Sequence, residues 1–435
     1  MSQSTTPLLL MKSVTENDPI TSVAFCPTAP LLATGSTAQS NGVTLWKLKK
    51  GTNILRPSYN WDMDGRVNLN GHTGVVNSVA FHPTADPPLL ATGSSDNTVK
   101  LWRCSHNSET DIWSATCVAT LAEHRNHVYS VAFHPTMPLL ASGGNDDTVR
   151  LWRLFPDISS TTCVATLKVG RHAVNSVAFH PTANPPLLAT GSSDSTVKLW
   201  RFSLDGSNVS CVATLEGHSK RVNSVAFHPT MPLLATGSDD NTVRLWRLSS
   251  DNLYATCVAT LDESPRGHTG YVNSVAFHPT APLLATGSDD NTVRLWVLSH
   301  ENFYPTRMAI LREHTGYVRS VAFHPTEPLM ATGSQDKTVR LWKIKGIFDK
   351  LSTPRITPTP PTTSKVITSQ ASSGKAGTAY AKLPDGGSII RNHKKRSSRK
   401  LKRYASKRIK RNRNRNRNKY RKSKKAKTKR YPKLR

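Results

Sequence analysis

The chain has 435 residues, of which 58 are Lys or Arg and 28 are Asp or Glu, so its formal net charge at pH 7 is +30. Residues 391–435 hold 25 of the basic residues and no acidic one, which leaves 58 − 25 = 33 basic against 28 acidic residues, or +5, in the rest. This distribution excludes a uniformly basic protein and indicates that one end is attracted to a polyanion.

The N-terminal segment, MSQSTTPLLLMKSV, has too short an apolar run for a secretion signal. No stretch approaches the ~18 apolar residues of a membrane-spanning helix, so we expect a soluble, intracellular protein. Four of the six cysteines recur at one position of a repeated phrase, where equivalent residues lie too far apart for disulfides. We predict that these four are small, buried, unpaired side chains: Cys117, Cys163, Cys211 and Cys257.

One phrase recurs almost verbatim along the chain. GHTGYVNSVAFHPTAPLLATGSDDNTVRLW (267–296) returns with small changes, and the Trp residues that end successive copies are 46 to 56 positions apart. A repeat of this length is typical of propeller blades, which must stack because one small sheet cannot bury a core alone. The other copies end at Trp102, Trp152, Trp200, Trp246 and Trp342, with a degraded copy at Trp46.

Each copy predicts four short β-strands. YVNSVAF alternates and is rich in β-branched residues, HPTAP is a Pro turn, and LLATGS is a second strand. An Asp-Asn pair turns the chain back into TVRLW, and the segment between copies, such as ATCVATL, supplies a fourth strand. We therefore predict an all-β fold, a seven-bladed β-propeller of four-stranded blades, over residues 1–345.

The repeated residues resemble the WD-repeat family of β-propellers, over roughly residues 7–345 and at several motif positions per copy. The resemblance implies a ring that binds proteins or peptides, and we predict a non-enzymatic protein without a cofactor. It also implies how the ring closes. LLLMKSV stands where CVATL precedes other copies, so we expect it to complete the last blade as its outermost strand.

Five copies carry a His, a Thr or Ser, an Asp and a Trp at fixed spacing, a set that could be mistaken for a hydrolase site. The resemblance implies that the four form a buried hydrogen-bonded chain, and a nucleophile repeated in almost every blade would have no shared pocket. We predict structural tetrads and no catalytic residue. The tetrads are His72, Thr92, Asp96, Trp102; His124, Ser142, Asp146, Trp152; His218, Thr236, Asp240, Trp246; His268, Thr286, Asp290, Trp296; and His314, Thr332, Asp336, Trp342.

Two copies depart from the pattern. The fourth reads VGRHAVNS, which places His172 two residues closer to its strand than the other loop histidines, so we expect an impaired tetrad. The first has no such His and carries GSTAQSNGVTLW where the Asp turn should be. These blades are the expected places for local fraying or adapted function.

A second histidine set lies in the HPT turns. Zinc needs ligands that converge at about 2.0 to 2.1 Å, and one His per blade around a ring cannot do so. We interpret these residues as polar side chains that lead into a Pro turn, and we predict no metal site. They are His82, His134, His180, His228, His278 and His324.

The resemblance implies that partners bind where the loop before each first strand enters the central channel. The residues one and three positions before each SVAF Ser should line that entrance; the nearer set is Asn77, Tyr129, Asn175, Asn223, Asn273 and Arg319, and the farther set is Val75, His127, Ala173, Arg221, Tyr271 and Tyr317. Because interfaces favour Tyr and Arg as anchors, we predict partner binding by Tyr129, Arg221, Tyr271, Tyr317 and Arg319. The Asn set either contacts the partner or satisfies loop backbone.

The residue after each repeat Trp is never the Asp that gives the family its name. Family members that serve as substrate receptors of cullin ubiquitin ligases often carry that Asp and an Arg two residues later, so the resemblance gives that role little support. The residues found are Lys47, Arg103, Arg153, Arg201, Arg247, Val297 and Lys343.

The repeats stop after residue 345. Residues 346–390 are rich in Pro, Thr and Ser and predict a flexible linker. Residues 391–435 are too charged and too poor in apolar side chains to fold alone, which predicts a disordered tail. Its cations can displace counterions from DNA or RNA without reading sequence, and KKRSSRKLKR would also serve as a nuclear localisation signal. The tail cations that we assign to nucleic acid are Lys394, Lys395, Arg396, Arg399, Lys400, Lys402, Arg403, Arg411, Arg413, Arg415 and Arg417.

We therefore predict an interaction scaffold, most simply nuclear, whose propeller binds a protein or peptide while the tail binds nucleic acid, directs nuclear localisation, or both. We predict no membrane and no small-molecule substrate as partners. The alternative is a structural or packaging component, for example of a large DNA virus, whose tail neutralises packed nucleic acid. That alternative would place the protein in the cytoplasm or in a virion.

Overall fold

Each repeat forms one antiparallel sheet in the computed structural model, which describes residues 8–38, 42–51, 60–262, 267–299 and 303–344. These residues form 28 strands in seven four-stranded sheets, with one 3-10 turn at Ile158–Ser160. None of the helical structure in these ranges is long or apolar enough to cross a membrane. The predicted seven-bladed propeller is confirmed. The linker, the tail and its nucleic-acid residues lie outside the described residues.

Strand β1 (Leu8–Thr15) precedes blade one in the chain but is not part of its sheet. Blades one to four then follow in chain order, with four consecutive strands each. Blade one has β2 (Ile20–Phe25), β3 (Leu31–Ser36), β4 (Val43–Gly51) and β5 (Asn60–Leu69); blade two has β6 (Val76–Phe81), β7 (Leu89–Ser94), β8 (Val99–Asn107) and β9 (Ile112–Leu121). Blade three has β10 (Val128–Phe133), β11 (Leu139–Gly144), β12 (Thr148–Arg153) and β13 (Thr162–Lys168); blade four has β14 (Val174–Phe179), β15 (Leu187–Ser192), β16 (Val197–Phe202) and β17 (Val209–Leu215).

The last three blades have the same order of strands from the central axis outwards. Blade five has β18 (Val222–Phe227), β19 (Leu233–Ser238), β20 (Val243–Leu248) and β21 (Ala255–Leu261); blade six has β22 (Val272–Phe277), β23 (Leu283–Ser288), β24 (Val293–Leu298) and β25 (Pro305–Leu311). Blade seven has β26 (Val318–Phe323), β27 (Leu329–Ser334) and β28 (Thr338–Ile344), and its fourth strand is β1.

The N-terminal strand closes the ring. β1 pairs antiparallel with β28, from Leu8 opposite Ile344 to Thr15 opposite Thr338. The predicted closure is therefore confirmed, and the two ends of the propeller are joined by main-chain hydrogen bonds instead of an exposed sheet edge.

The hydrophobic core lies between blades. Every residue of β23 is buried, because the second strand is covered by a neighbouring sheet on each face, whereas half of the residues of the first strand β22 are only half-buried. One cluster packs Leu233 and Leu245 of blade five against Val272, Phe277 and Trp296 of blade six. A fully buried Leu or Val contributes about 1.5 to 3 kcal/mol, and a single blade could not bury these side chains alone.

A ring of seven hydrogen bonds surrounds the axis. In each first strand the Ser hydroxyl accepts a bond from the backbone N–H of a Val in the next blade, at 3.0 to 3.1 Å. The last of these bonds, from Val23 to Ser320, joins blade one to blade seven. The other donors and acceptors are Val79 and Ser22, Val131 and Ser78, Val177 and Ser130, Val225 and Ser176, Val275 and Ser224, and Val321 and Ser274.

The HPT histidines also join blades. Nδ1 of His134 accepts hydrogen bonds from the backbone N–H groups of Thr136 and Met137, and its ring lies edge-on to Phe179 of the next blade at 5.0 Å. The same ring contact with the next blade recurs for the other five, up to His324 against Phe25. Within the described ranges no group of three or more His, Cys, Asp or Glu side chains is placed to hold a metal ion.

We expect the propeller to lose stability as the pH falls below about 6.5, the ordinary pKa of His. Burial lowers the pKa of both His134 and His278 to about 4, so protons bind the unfolded chain first and favour it. Between these pH values each of the two histidines lowers the free energy of unfolding by up to ~1.4 kcal/mol for each pH unit of acidification. Denaturant titrations from neutral pH to about pH 4.5 measure this slope. A His134→Gln/His278→Gln variant should have a shallower slope, and equal slopes would contradict the assignment.

The prediction that four cysteines are buried is wrong. Cys117, Cys211 and Cys257 are exposed and Cys163 is half-buried, because all four lie on the outermost strand of a blade, which no further strand covers. All six cysteines are free thiols, and the two buried ones are Cys26 and Cys104. Burial raises the pKa of the Cys104 thiol to about 12.

Candidate functional site

The tetrad of blade six forms a continuous chain of hydrogen bonds. The indole N–H of Trp296 donates to the Thr286 hydroxyl at 3.2 Å, Thr286 donates to Nε2 of His268 at 2.7 Å, and Nδ1 of His268 donates to Asp290 at 2.8 Å. Burial lowers the pKa of His268 although Asp290 opposes the shift, so the imidazole is neutral and can accept from Thr286. The same three contacts join the four side chains of each of the other predicted tetrads, in blades two, three, five and seven.

The tetrad carboxylates stay ionised inside the fold. Burial by itself opposes ionisation of Asp336, but hydrogen bonds from Thr338 and His314 lower its pKa to about 2. Burial also opposes ionisation of Asp290, but hydrogen bonds from His268 and Thr292 lower its pKa below the usual range. His268, Thr286 and Trp296 are all buried, so a substrate has no access to them. This geometry supports a structural role.

Blade four lacks the tetrad histidine because Gly170 stands in its place, four residues before β14. The remaining members are in position: Trp200 donates to Thr190 at 3.1 Å, and Oδ1 of Asp194 accepts from Thr196. His172 is exposed. Among the described residues it makes no hydrogen bond with either Thr190 or Asp194.

We expect Gly170→His to stabilise the protein by roughly 1 to 2 kcal/mol, through about 1 kcal/mol for a buried hydrogen bond and a loss of chain entropy in the unfolded state. A Cβ at Gly170 would meet Oδ2 of Asp194 at 3.5 Å, an ordinary contact, so a His has room to enter. Denaturant titration measures the gain. Gly170→Ala is the matched control, because it has the entropic part alone; equal stability of the two variants would contradict the restored tetrad.

Blade one replaces the tetrad histidine by Glu16, which the sequence analysis overlooked. Glu16 lies four residues before β2, as each tetrad His lies four residues before its own first strand, and that spacing was the available signal. Its carboxylate pairs with Arg66 at 2.8 Å, and the Arg66 guanidinium lies 5.8 Å from the centre of the Trp46 ring. Burial raises the pKa of Glu16 although Arg66 opposes the shift. This blade is therefore braced by a different set of side chains.

The Asn residues at the channel entrance bind the neighbouring blade. Nδ2 of Asn273 donates to the backbone carbonyl of Val318 at 3.0 Å, and Asn77, Asn175 and Asn223 make the equivalent bond to the blade that follows each of them. Of the two interpretations of the Asn set, the geometry favours satisfaction of backbone groups. Tyr129 and Arg319 occupy the same position in blades three and seven.

Two aromatic side chains stand exposed on neighbouring blades. Tyr271 is 43% exposed and Tyr317 is 42% exposed. Nζ of Lys220 lies 5.4 Å from the centre of the Tyr271 ring, and the Arg319 guanidinium lies 5.2 Å from that of Tyr317. Each ring is therefore held by a cation on one side while much of its surface faces solvent.

Two carboxylates that the sequence analysis did not assign complete this surface. Asp239 pairs with Arg221 at 2.6 Å and Asp289 lies 3.5 Å from Arg319. Both also accept a hydrogen bond from a channel Asn at 2.7 Å, which orients them. We call Arg221, Asp239, Tyr271, Asp289, Tyr317 and Arg319 the channel-mouth patch. Tyr129 is not part of it: it lies in blade three, half-buried against His127.

Two family models match the chain. The model described as "WD domain, G-beta repeat" matches residues 10–47, 66–103 and 115–153. The model described as "CAF1B/HIR1 beta-propeller domain" matches residues 169–367. The two models thus cover different parts of the same ring.

Curated relatives match over shorter segments. Coatomer subunit beta'-1 of Arabidopsis thaliana is 36% identical over 74 residues, which are 17% of this chain and 7% of the relative. The ribosome biogenesis protein WDR12 homolog of Chlamydomonas reinhardtii is 33% identical over 125 residues (28% and 27%), and the ribosome biogenesis protein BOP1 homolog of Leishmania infantum is 37% identical over 73 residues (16% and 9%). The chain thus spans at most 27% of the length of these relatives. The repeated motif, the seven blades and both family models show that the chain belongs to the WD-repeat family of β-propeller proteins.

Proposed function

We propose that this protein is a non-enzymatic interaction scaffold whose propeller binds a protein or peptide partner at the channel-mouth patch. The observation that carries the proposal is the pair of exposed tyrosines on blades six and seven. Neither Tyr271 nor Tyr317 belongs to a tetrad or to the ring of Ser–Val bonds, so the fold gives no reason for their exposure. Rigid aromatic side chains beside arginines are the residues that most often dominate binding energy at interfaces.

The patch suits a partner segment with mixed polarity. Tyr271 and Tyr317 offer aromatic faces, while Asp239 and Asp289 lie beside Arg221 and Arg319 and add polar groups. Because the channel Asn side chains fix both carboxylates, little conformational entropy would be lost on binding. These features support recognition of an extended peptide across blades five to seven.

Affinity capture with the full chain tests this site. A Tyr271→Ala/Tyr317→Ala variant should lose its specific partner, because truncation of such anchors costs at least about 1 to 2 kcal/mol each. Val258→Ala is the matched control: this residue is also exposed, at 37%, but lies on the outer strand β21. If the double variant still captured the partner and bound the purified partner with unchanged affinity, the channel-mouth patch would be excluded as the binding site.

We further propose that the tail binds nucleic acid without sequence preference and that the protein acts in the nucleus. The 25 basic residues within 391–435 support the first statement. The basic stretch 394–403 supports the second, as do the relatives whose names describe ribosome biogenesis proteins. The scaffold would then hold its protein partner on DNA or RNA.

A further inference from the structure

Large apolar side chains are exposed on the face opposite the channel-mouth patch. They lie on or directly beside the connections between third and fourth strands, which begin beside the HPT turns, as the bond from the Leu248 N–H to the Pro232 carbonyl shows for blade five. Leu204 is 72% exposed, and Tyr254 and Ile112 are each 60% exposed. Single exposed apolar residues are common, but here five successive blades each present at least one. The others are Phe155, Leu253 and Tyr304.

These connections are rigidly built. In blade four, Ser203 and Ser207 donate hydroxyl hydrogen bonds to Asp205, and in blade five Ser249 donates to Asp251. The basic residue after the Trp of the preceding blade holds each connection from outside: Arg153 donates to the Asp205 backbone carbonyl, and Arg201 donates to that of Asp251. The exposed side chains are thus presented by fixed turns, not by loose loops, so binding would cost little ordering entropy.

The same connections are acidic, whereas residues 1–390 as a whole are nearly balanced in charge. The four connections of blades two to five, residues 108–111, 154–161, 203–208 and 249–254, contain five acidic residues and no Lys or Arg. Hydroxyl hydrogen bonds lower the pKa of Asp205 to about 2, and those around Asp251 lower its pKa as well, so both carboxylates are ionised at neutral pH. Lys47 pairs with Asp111 of blade two. We call these four connections, with Ile112 and Tyr304, the acidic loop rim.

We propose that the acidic loop rim is a second docking surface, which takes a partner-protein segment that carries Lys or Arg among large apolar side chains. The apolar side chains of the partner would cover Leu204, Leu253 and Tyr254, and its cations would pair with Asp205 and Asp251. Charge complementarity selects this occupant, because Asp205 and Asp251 are ionised beside apolar surface, and the arginine that the preceding blade places next to each connection donates to a backbone carbonyl.

A labelled peptide of Leu-Lys-Ser-Lys repeats tests the proposal by fluorescence anisotropy with the full chain. Roughly 16 residues span about 50 Å when extended, enough to cross more than one connection. We expect binding that weakens with salt, and a loss of roughly tenfold for Leu204→Ser/Tyr254→Ser and for Asp205→Asn/Asp251→Asn. Val258→Ser, on the outer strand of blade five, and Tyr271→Ala/Tyr317→Ala, on the opposite face, should bind as the wild type does.

Five results would overturn the proposal. The first is that the peptide fails to bind the wild type. The second is that a matched peptide with Glu in place of Lys binds as tightly, and the third is that the rim variants keep the wild-type affinity. The fourth is self-association, measured by sedimentation, that Leu204→Ser/Tyr254→Ser abolishes, because a second copy of this chain would then be the occupant of the rim. Loss of peptide binding in Tyr271→Ala/Tyr317→Ala would move the peptide to the channel mouth and also count against the rim. Failure here leaves the proposed function intact, because the two faces have separate variants.

Discussion

Replacement of His268 by Ala should lower the free energy of unfolding by roughly 2 to 4 kcal/mol. The substitution removes the short hydrogen bond from the fully buried Thr286 to His268 and one of the donors to the Asp290 carboxylate. It also opens a cavity beside Trp296. Chemical denaturation monitored by circular dichroism measures the loss.

His172 provides the matched control for this experiment. It occupies the corresponding loop of blade four but is exposed, and among the described residues it makes no hydrogen bond with Thr190 or Asp194, so His172→Ala should change stability by no more than about 0.5 kcal/mol. If His268→Ala were as stable as His172→Ala, the tetrad would not be a brace. A double-mutant cycle of His268→Ala with Asp290→Ala then measures the coupling, which we expect to be about 1 to 3 kcal/mol.

Neutralisation of the tail should have the largest effect on binding. With the eleven assigned tail cations changed to Gln in the full chain, affinity for a random-sequence duplex should fall by roughly a hundredfold or more at low salt. The slope of log K against log salt should also flatten, because each phosphate contact contributes about −0.9 to it. Fluorescence anisotropy across a salt series measures both quantities.

The control exchanges Lys and Arg at the same eleven positions, which keeps the charge and should keep both affinity and slope. Duplexes of unrelated sequence should bind equally well, since the tail contacts phosphates. Wild-type affinity in the Gln variant would show that nucleic acid binds elsewhere or not through these residues. A sharp preference for one duplex would contradict binding without sequence readout.

Most of the architecture could be predicted because the repeat is nearly verbatim. Alternation in YVNSVAF and the turn residues of HPT and Asp-Asn depend on local backbone preferences, so the strands β22, β23 and β24 appear where they were expected. The resemblance to the WD-repeat family implied that His268, Thr286, Asp290 and Trp296 meet in one blade, and their hydrogen bonds join them there.

The errors and omissions concern contacts between blades and the outer edge. Cys257 was expected to be a small buried side chain because it recurs at one repeat position where disulfides are excluded, but β21 is the last strand of its sheet and no further strand covers it. Glu16 was overlooked because it replaces a His by a residue of another type. The Arg residues after the repeat Trp were noticed only as departures from a motif, whereas Arg153 and Arg201 hold the next blade.

The sequence by itself determined the strands and the number of repeats, because those features follow from residue patterns within about 50 positions of chain, and the resemblance to the WD-repeat family added the closed ring and the tetrads. Only the tertiary structure decided which side chains face a neighbouring blade and which face solvent. Ser320 and Val23, whose bond completes the ring, are 297 residues apart, and Tyr271 and Tyr317 become one patch only because blades six and seven are adjacent. The curvature that brings such residues together is a property of all seven sheets packed around one axis, which no single repeat encodes.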